Sequence, residues 1–417
     1  MSPIVFVKKF CVGLSCGTSF PLTIVILDYW LKECGVSNSV IGFFTFLHLP
    51  FTLKFIWAPL IDDTDIPYLS KLLGRTKSWV ILSQMLLMIG VIGMAHADPG
   101  SSLDKLMFFV SMTSFADGCQ NVALYPYQID RISEKEFGYT ASIVGFGYAW
   151  GSVLTKFTTL QVAHFYGWTV AYECAAGLIF ICMVSILATP SPQTSCDAAD
   201  DAGDAGMGRL KYSMRKFCDT KDGRYLLALL MLYKAADHMI HKMSRPFCLD
   251  IGFSKEEIAT IAQLVGAAST VIGGFIGGLY VKKMKLKKSM MLLGVAHMLS
   301  LYSYVGLWIY GHNTHVLGIV ACLEGVTGGA TAAAFLAFLY TLCPGSSQYA
   351  LLWALHEFAG LVLASVSGIC VDFLGWLRYF ILIPLVFTPS LLLLRALPEI
   401  DMEFRIRNGG PKQTKKN

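Results

Sequence analysis

The sequence predicts an all-α integral membrane protein with twelve transmembrane helices in two six-helix halves. Hydrophobic residues make up 55% of the 417-residue chain and charged residues only 15%, a balance that a water-soluble domain of this length does not keep. A window of about 20 apolar residues, which crosses a bilayer as a helix, fits the chain twelve times. One long polar stretch separates six of these windows from the other six.

The apolar runs divide into two groups along the chain. In the first half we predict spans near residues 6–30, 39–61, 77–96, 104–129, 139–165 and 167–189. In the second half we predict spans near 223–248, 255–281, 287–310, 314–343, 346–373 and 376–397. The predicted domains are therefore an N-terminal bundle at 1–189, a cytoplasmic linker at 190–222, a C-terminal bundle at 223–397 and a cytoplasmic basic tail at 398–417.

Basic residues predict the orientation of these spans. Most of the 33 lysine and arginine residues fall in loops on one side, including the linker and the tail. Because cytoplasmic loops carry the excess of positive charge, both termini are predicted to be cytoplasmic. This sorting explains the net charge of +5, so we expect no nucleic-acid partner. Basic turns at 71–77 and 282–288 each link the second and third span of a half, which indicates a two-fold repeat with a site between the halves.

Lys54 lies about halfway along the second apolar run. A charge there costs roughly 2.5 to 3.5 kcal/mol on insertion scales, so we expect Lys54 to face a partner or a water-filled cavity. The alternative is a lysine that extends to the membrane interface, which Trp57 and Pro59 mark on the C-terminal side.

Other polar residues inside spans are candidates for a substrate or proton pathway. Asp117 is one of them, and Lys234 and Asp237 are three positions apart, so they share a helix face and can neutralise each other. A purely structural ion pair explains the latter two equally well. Glycines at 145, 147 and 151, and at 273, 274, 277 and 278, predict close helix packing.

Glu324 has no basic residue within one helical turn in the sequence. An unpaired carboxyl in an apolar span disfavours its charged form, so Glu324 is predicted to exchange protons, with a structural role as the alternative. His356 is either a proton relay or a hydrogen-bonded packing residue. His238 and His241 share a helix face but lack a third ligand at matching spacing, so we expect no metal or other cofactor.

Several motifs carry a family resemblance. They are IGFF at 41–44, KFIWAPLID at 54–62, GRTKSW at 74–79, LYKAAD at 232–237, LE at 323–324 and QYALL at 348–352, together with Gln120, Asp130, Gly138, Gly252, Phe253, Gly328 and Gly329. In order and spacing they resemble the AmpG-type muropeptide permeases of the major facilitator superfamily. The resemblance covers most of the chain outside the linker and both tails.

The resemblance implies proton-coupled import of anhydro-muropeptides, the sugar-peptide fragments of cell-wall recycling, across a bacterial inner membrane. It implies that protons, a small-molecule substrate and membrane lipid are the partners, and we expect a monomer. Lys54, Lys234, Asp237 and Glu324 become cavity or coupling residues. The resemblance adds three residues of the fourth span to this pathway: Gln120, Asn121 and Tyr125. It also implies a cytoplasmic gate formed by Asp62, Arg75 and Lys77. Asn121 and Tyr125 stand where the family pattern carries acidic residues.

Two other functions remain open. A transporter of the same fold would carry another organic solute, such as an acyl carrier or a peptide-like molecule. A membrane enzyme or non-transporting receptor is the alternative from another class. The sequence contains no HExxH or P-loop pattern, and its GxSxG match, GLSCG at 13–17, lies inside the first apolar run rather than at a strand-to-helix turn. The central polar stretch is too short to fold as a catalytic domain, so an enzyme is not expected.

Overall fold

The computed structural model describes residues 3–129, 137–189, 221–342 and 346–396, and these residues form helices joined by short turns, with no β-strand among them. In the first half the helices are α1 Pro3–Pro21, α2 Leu27–Glu33, α3 Asn38–Phe43, α4 Leu49–Thr52, α5 Ala58–Asp63, α6 Leu69–Leu73, α7 Arg75–Ala95, α8 Leu103–Ile129, α9 Phe137–Tyr166 and α10 Trp168–Leu187. In the second half they are α11 Lys221–Leu232, α12 Ala235–Ile251, α13 Lys255–Glu257, α14 Gly266–Lys283, α15 Leu286–Leu301, α16 Ser303–Tyr310, α17 Thr314–Leu342, α18 Ser346–Leu374, α19 Trp376–Leu382 and α20 Thr388–Ala396.

Non-α segments continue several helices without breaking the span. A π-helical segment, Leu22–Ile26, joins α1 to α2, and another, Ile258–Val265, joins α13 to α14. A 3₁₀ segment at Ile383–Phe387 joins α19 to α20. The first, eighth and twelfth predicted spans are therefore continuous helical rods of mixed hydrogen-bond register.

Eight of the predicted spans are helices long and apolar enough to cross a membrane within the described ranges. They are Phe6–Glu33, Arg75–Ala95, Trp168–Leu187, Lys255–Lys283, Leu286–Tyr310, Thr314–Leu342, Leu352–Leu374 and Trp376–Ala396. The all-α membrane fold is thereby confirmed. The fourth and fifth predicted spans are the long helices α8 and α9, whereas the count of twelve crossings stays a prediction.

The second and seventh predicted spans are interrupted. The second consists of α3, α4 and α5 with the 3₁₀ segments Phe44–His48 and Lys54–Ile56 between them. Pro50 and Pro59 occupy the first turns of α4 and α5, where proline is tolerated because those backbone N–H groups lack intrahelical partners. The seventh breaks at residues 233–234, between α11 and α12. Both interruptions place a predicted pathway lysine, Lys54 or Lys234, at or beside the break.

By packing, the chain forms two compact units. The first contains Met1–Gly203, Lys242–Leu264 and Ala364–Phe373, and the second contains Asp204–His241, Val265–Leu363 and Leu374–Asn417. Each is described here by itself. The predicted six-helix halves and the linker and tail boundaries stay predictions, and most of the linker and nearly all of the tail lie outside the described residues.

Glycines bring helices into backbone contact within each unit. In the first unit a Cβ on Gly147 of α9 would lie 2.3 Å from the Phe10 carbonyl oxygen of α1. In the second unit a Cβ on Gly273 of α14 would lie 2.0 Å from the Val326 carbonyl oxygen of α17. Gly151 and Gly277 make equivalent approaches, while Gly145, Gly274 and Gly278 have nothing within 4 Å. Close packing is thus confirmed for four of the predicted glycines, and the other three face away.

Gly147→Ala is expected to destabilise the protein by about 1 to 3 kcal/mol, because the added methyl group has no room against the α1 backbone. Gly145→Ala is the matched control, since it makes the same change on the same helix in open space. The thermal midpoint of the detergent-purified protein measures both. Equal midpoints for the two variants would contradict the close approach.

Candidate functional site

Asp237 is the centre of a polar cluster in the second unit. It lies in the first turn of α12 and its residue surface is only 4% exposed. One carboxylate oxygen pairs with Lys234 and the other with His297. Lys234 Nζ also donates to Thr331 Oγ1 at 3.1 Å and to the Gly328 carbonyl at 3.4 Å. The predicted Lys234–Asp237 pair is confirmed, and it belongs to a larger network.

His297, on α15, is a fully buried residue that the sequence analysis missed. Its Nε2 atom bonds Asp237, and its Nδ1 atom lies 2.8 Å from Thr327 Oγ1. The Thr327 hydroxyl also lies within hydrogen-bond distance of the Leu323 carbonyl, at 2.7 Å. The only sequence signal for this residue was a lone histidine within an apolar run.

Rotation of the Thr327 hydroxyl suits both charge states of His297. When Thr327 donates to the Leu323 carbonyl, its oxygen can accept a hydrogen bond from Nδ1–H, and the imidazole then donates through both nitrogens as a cation. When Thr327 donates to Nδ1, the ring is the neutral tautomer that donates to Asp237 alone.

Glu324 is paired, which corrects the expectation of an isolated carboxyl. The Tyr304 hydroxyl of α16 donates to Glu324 Oε2, and His241 Nδ1 of α12 lies 3.1 Å from Oε1. The side chain is 12% exposed. The sequence could not show these partners because both come from other helices. The His241 approach is an ion-pair contact without hydrogen-bond geometry, since Oε1 accepts no hydrogen bond from the described residues.

His356 of α18 is buried and in hydrogen-bond contact with the backbone. Its Nδ1 atom lies 3.0 Å from the Leu230 carbonyl oxygen, so Nδ1 carries the proton and donates. The ring centroid lies 4.5 Å from that of Phe335 and 5.2 Å from that of His238. Of the two roles that the sequence left open, these contacts favour hydrogen-bonded packing.

Asp117 of α8 forms a second polar cluster, in the first unit. The residue is 1% exposed and accepts hydrogen bonds from Ser19 Oγ at 2.5 Å and from Asn121 Nδ2 at 3.2 Å. Its other oxygen has no hydrogen-bond partner among the described residues. The charge of Lys54 acts on this carboxylate, and Lys54 Nζ lies 4.2 Å from the Phe51 ring centroid. Asn121 therefore bonds Asp117 directly and Lys54 acts on it electrostatically, while their role in a pathway stays a prediction.

Gln120 and Tyr125 are not joined to that cluster by the described contacts. Gln120 donates to the Ser15 carbonyl at 3.0 Å, while Gln84 of α7 donates to Ser15 Oγ at 2.8 Å, so both glutamines hold their helices against α1. The Tyr125 side chain lies outside what the structure describes.

Of the three predicted gate residues, Lys77 has clear contacts. Its Nζ atom donates to the carbonyls of Leu187 at 2.7 Å and Thr189 at 2.8 Å, at the C-terminal end of α10. A cation there satisfies terminal carbonyls and complements the helix dipole. Arg75 begins α7 and is exposed, and the Asp62 side chain lies outside the described part of the chain, so the predicted gate pair stays a prediction.

Asp28 is a buried acid and the second buried residue that the sequence analysis missed. Its carboxylate, 1% exposed, accepts from Lys242 Nζ at 2.5 Å and from Arg245 Nη1 at 2.7 Å. Asp28 falls within the first predicted span, near residues 6–30, but its partners Lys242 and Arg245 are 214 and 217 residues away in the sequence. The helix continues to Glu33, past the predicted end of the span.

The family model of the Major Facilitator Superfamily matches residues 10–233, more than half of the chain. A protein of Rickettsia prowazekii described as putative transporter AmpG 1 is 27% identical over 422 residues, covering 92% of this chain and 95% of that protein. The anhydromuropeptide permease of Escherichia coli K12 is 26% identical over 387 residues, covering 92% and 77% of the two chains. The resemblance drawn from the motifs is thereby confirmed.

Solved transporter structures share the fold at low sequence identity. The nucleoside transporter NupG superposes with a TM-score of 0.72 at 11% identity and covers 94% of this chain and 99% of its own. The D-xylose-proton symporter superposes with a TM-score of 0.71 at 12% identity and covers 96% and 98%. The superpositions establish a shared architecture, but at such low identity they do not identify the transported solute.

Proposed function

Because the chain belongs to the Major Facilitator Superfamily, we propose that it imports anhydro-muropeptide-like cell-wall fragments by proton-coupled alternating access. The protein is a multi-pass secondary transporter and not an enzyme. In this proposal it works as a monomer in the bacterial inner membrane, with both termini in the cytoplasm and membrane lipid around it, and uses no cofactor. The substrate assignment rests on relatives described as AmpG transporters and as an anhydromuropeptide permease.

The buried Lys234–Asp237–His297 network is the observation that carries the transport proposal. Ionisable side chains within apolar helices are costly and mark substrate or ion pathways. Here two of them, Lys234 and His297, lie around the carboxylate of a third, Asp237, with Thr331 and Thr327 as hydroxyl neighbours. Such a cluster offers the hydrogen-bond donors and acceptors that a sugar-peptide solute needs.

Proton coupling is assigned to Glu324 in this proposal. Its oxygens face Tyr304 and His241, and its side chain keeps some exposure. A proton on Glu324 removes the attraction to His241, whereas loss of that proton restores it. Loading and unloading would therefore change a contact between α12 and α17.

A transporter of a different organic solute, acyl carrier or peptide-like, is the second candidate. The observation that favours it is Asn121, an amide bonded to Asp117 where the family pattern carries an acid. With less charge in this cluster, a solute of different polarity would be bound. A non-transporting receptor would keep the fold without net solute movement.

Uptake by proteoliposomes tests the proposal. We expect labelled anhydro-muropeptide to accumulate when the outside is made acidic, and a protonophore to abolish the accumulation. An unlabelled dipeptide amide, a nucleoside and xylose are the competitors, and none should reduce uptake at equal concentration. Uptake of a competitor in place of the muropeptide would support the second candidate, and binding without uptake of any solute would support a receptor.

A further inference from the structure

Arg245 keeps unused hydrogen-bond donors beside the buried Asp28. Both of its described hydrogen bonds leave from Nη1, to Asp28 and, at 2.9 Å, to the Ile24 carbonyl oxygen. Ile24 lies in the π-helical segment Leu22–Ile26, where the shifted register changes which carbonyls are paired within the helix. The Nε and Nη2 donors have no hydrogen bond to the described residues, which leaves one side of the guanidinium fork for another group.

Lys156 interacts electrostatically with Arg245. It is in the middle of α9, one turn before the fully buried Leu160 on the same face. The charge of Arg245 acts on it, and no carboxylate among the described residues forms an ion pair with it. Lys156 is half-buried, and the Arg245 side chain is 16% exposed, so neither is sealed in the core.

The basic side chains around Asp28 outnumber the acid that pairs with them. Lys156, Lys242 and Arg245 carry three positive charges when protonated, and Asp28 is the acid that pairs with two of them. Half-buried cations without counter-charge are costly, and an anion placed among them would offset that cost. Arg245 presents parallel N–H donors and Lys156 a compact ammonium, which together suit a carboxylate.

We propose that Lys156 and Arg245, with Lys242 behind them, form an anion subsite that binds a carboxylate of the transported solute. Asp28 positions the two cations of α12, and the open edge of Arg245 and Lys156 contact the ligand. The inference rests on the proposed function in one respect, that a sugar-peptide solute has such a carboxylate at the end of its peptide. It narrows the solute to one that carries this group.

Binding of a small carboxylate tests the subsite separately from transport of muropeptide. The probe is N-acetyl-D-alanyl-D-alanine, and its C-terminal amide is the uncharged counterpart. Thermal stabilisation of the full-length purified protein should occur with the acid and be at least about tenfold weaker in apparent affinity with the amide, since a charge-assisted contact is lost. Equal stabilisation by both, or by neither, would overturn the subsite without any variant being made.

Variants at Lys156 then test whether this lysine contributes to binding of the carboxylate. Lys156→Met should weaken binding of the acid by about tenfold or more and leave binding of the amide unchanged. Lys156→Arg keeps the positive charge and should restore binding of the acid. Lys105→Met, at an exposed lysine of α8, is the control and should bind as wild type. Wild-type affinity in Lys156→Met would contradict the proposal, and Lys156→Gln repeats the test if the methionine variant does not fold.

Uptake of labelled anhydro-muropeptide is measured in the same preparations. Uptake by the wild type with no acid preference and no effect of Lys156→Met would refute the subsite and leave the proposed function standing. Lys156-dependent binding of the acid with no uptake of muropeptide would refute the proposed substrate and leave the subsite standing.

Discussion

Asp237→Asn is expected to lower the free energy of unfolding by about 3 to 5 kcal/mol, the range seen when one partner of a buried ion pair is removed. The substitution keeps the shape of the side chain but removes the charge that faces Lys234 and the fully buried His297. Neither Lys234 nor His297 contacts another carboxylate in the described part of this cluster. Denaturant unfolding in detergent, followed by tryptophan fluorescence, measures the loss.

The control for this variant is Asp104→Asn, an exposed acid in the first turn of α8, which should change stability by less than about 1 kcal/mol. The double variant Asp237→Asn with Lys234→Gln should lose less than the two single variants summed, because the second change removes the cation that the first leaves unpaired. Additive losses, or a wild-type midpoint for Asp237→Asn, would show that Asp237 is not the electrostatic centre of the cluster.

Helix positions were predictable because their signals are local. Apolar length located the third span at 77–96, and the structure has α7 at Arg75–Ala95. The interruption of the second span was harder, since Lys54 and two prolines were visible but the 3₁₀ segments Phe44–His48 and Lys54–Ile56 have no local sequence signal of their own. The glycine patterns were read correctly as packing surfaces, but which glycines make contact is set by the rotation of the helix, which a sequence does not give.

The site was predictable where partners are near in sequence. Lys234 and Asp237 are one helical turn apart, so their pairing followed from helix geometry. His297 bonds Asp237 from 60 residues away and was missed for that reason. Asp28 was missed because its cations, 214 and 217 residues along the chain, are needed to explain a buried carboxylate. A side chain without a charged neighbour on its own helix can pair with a residue of another helix, and the sequence does not show that pairing.

Glu324→Gln is expected to abolish pH-driven accumulation while leaving exchange of solute across the membrane. A one-unit pH gradient coupled to one proton supports at most about tenfold accumulation, since one unit corresponds to about 1.4 kcal/mol and each 1.4 kcal/mol is tenfold. Glutamine keeps the shape, still accepts a hydrogen bond from Tyr304, and mimics the protonated state permanently. The accumulation ratio should therefore fall to about one, the value at equilibrium, while counterflow exchange continues near the wild-type rate.

Glu173→Gln, an exposed acid of α10 whose partner is His96, is the control and should accumulate normally. If exchange and accumulation fall together in Glu324→Gln, or if neither changes, Glu324 is a packing residue, and Asp117, with one oxygen unpaired among the described residues, becomes the next carboxyl to test in the same assay.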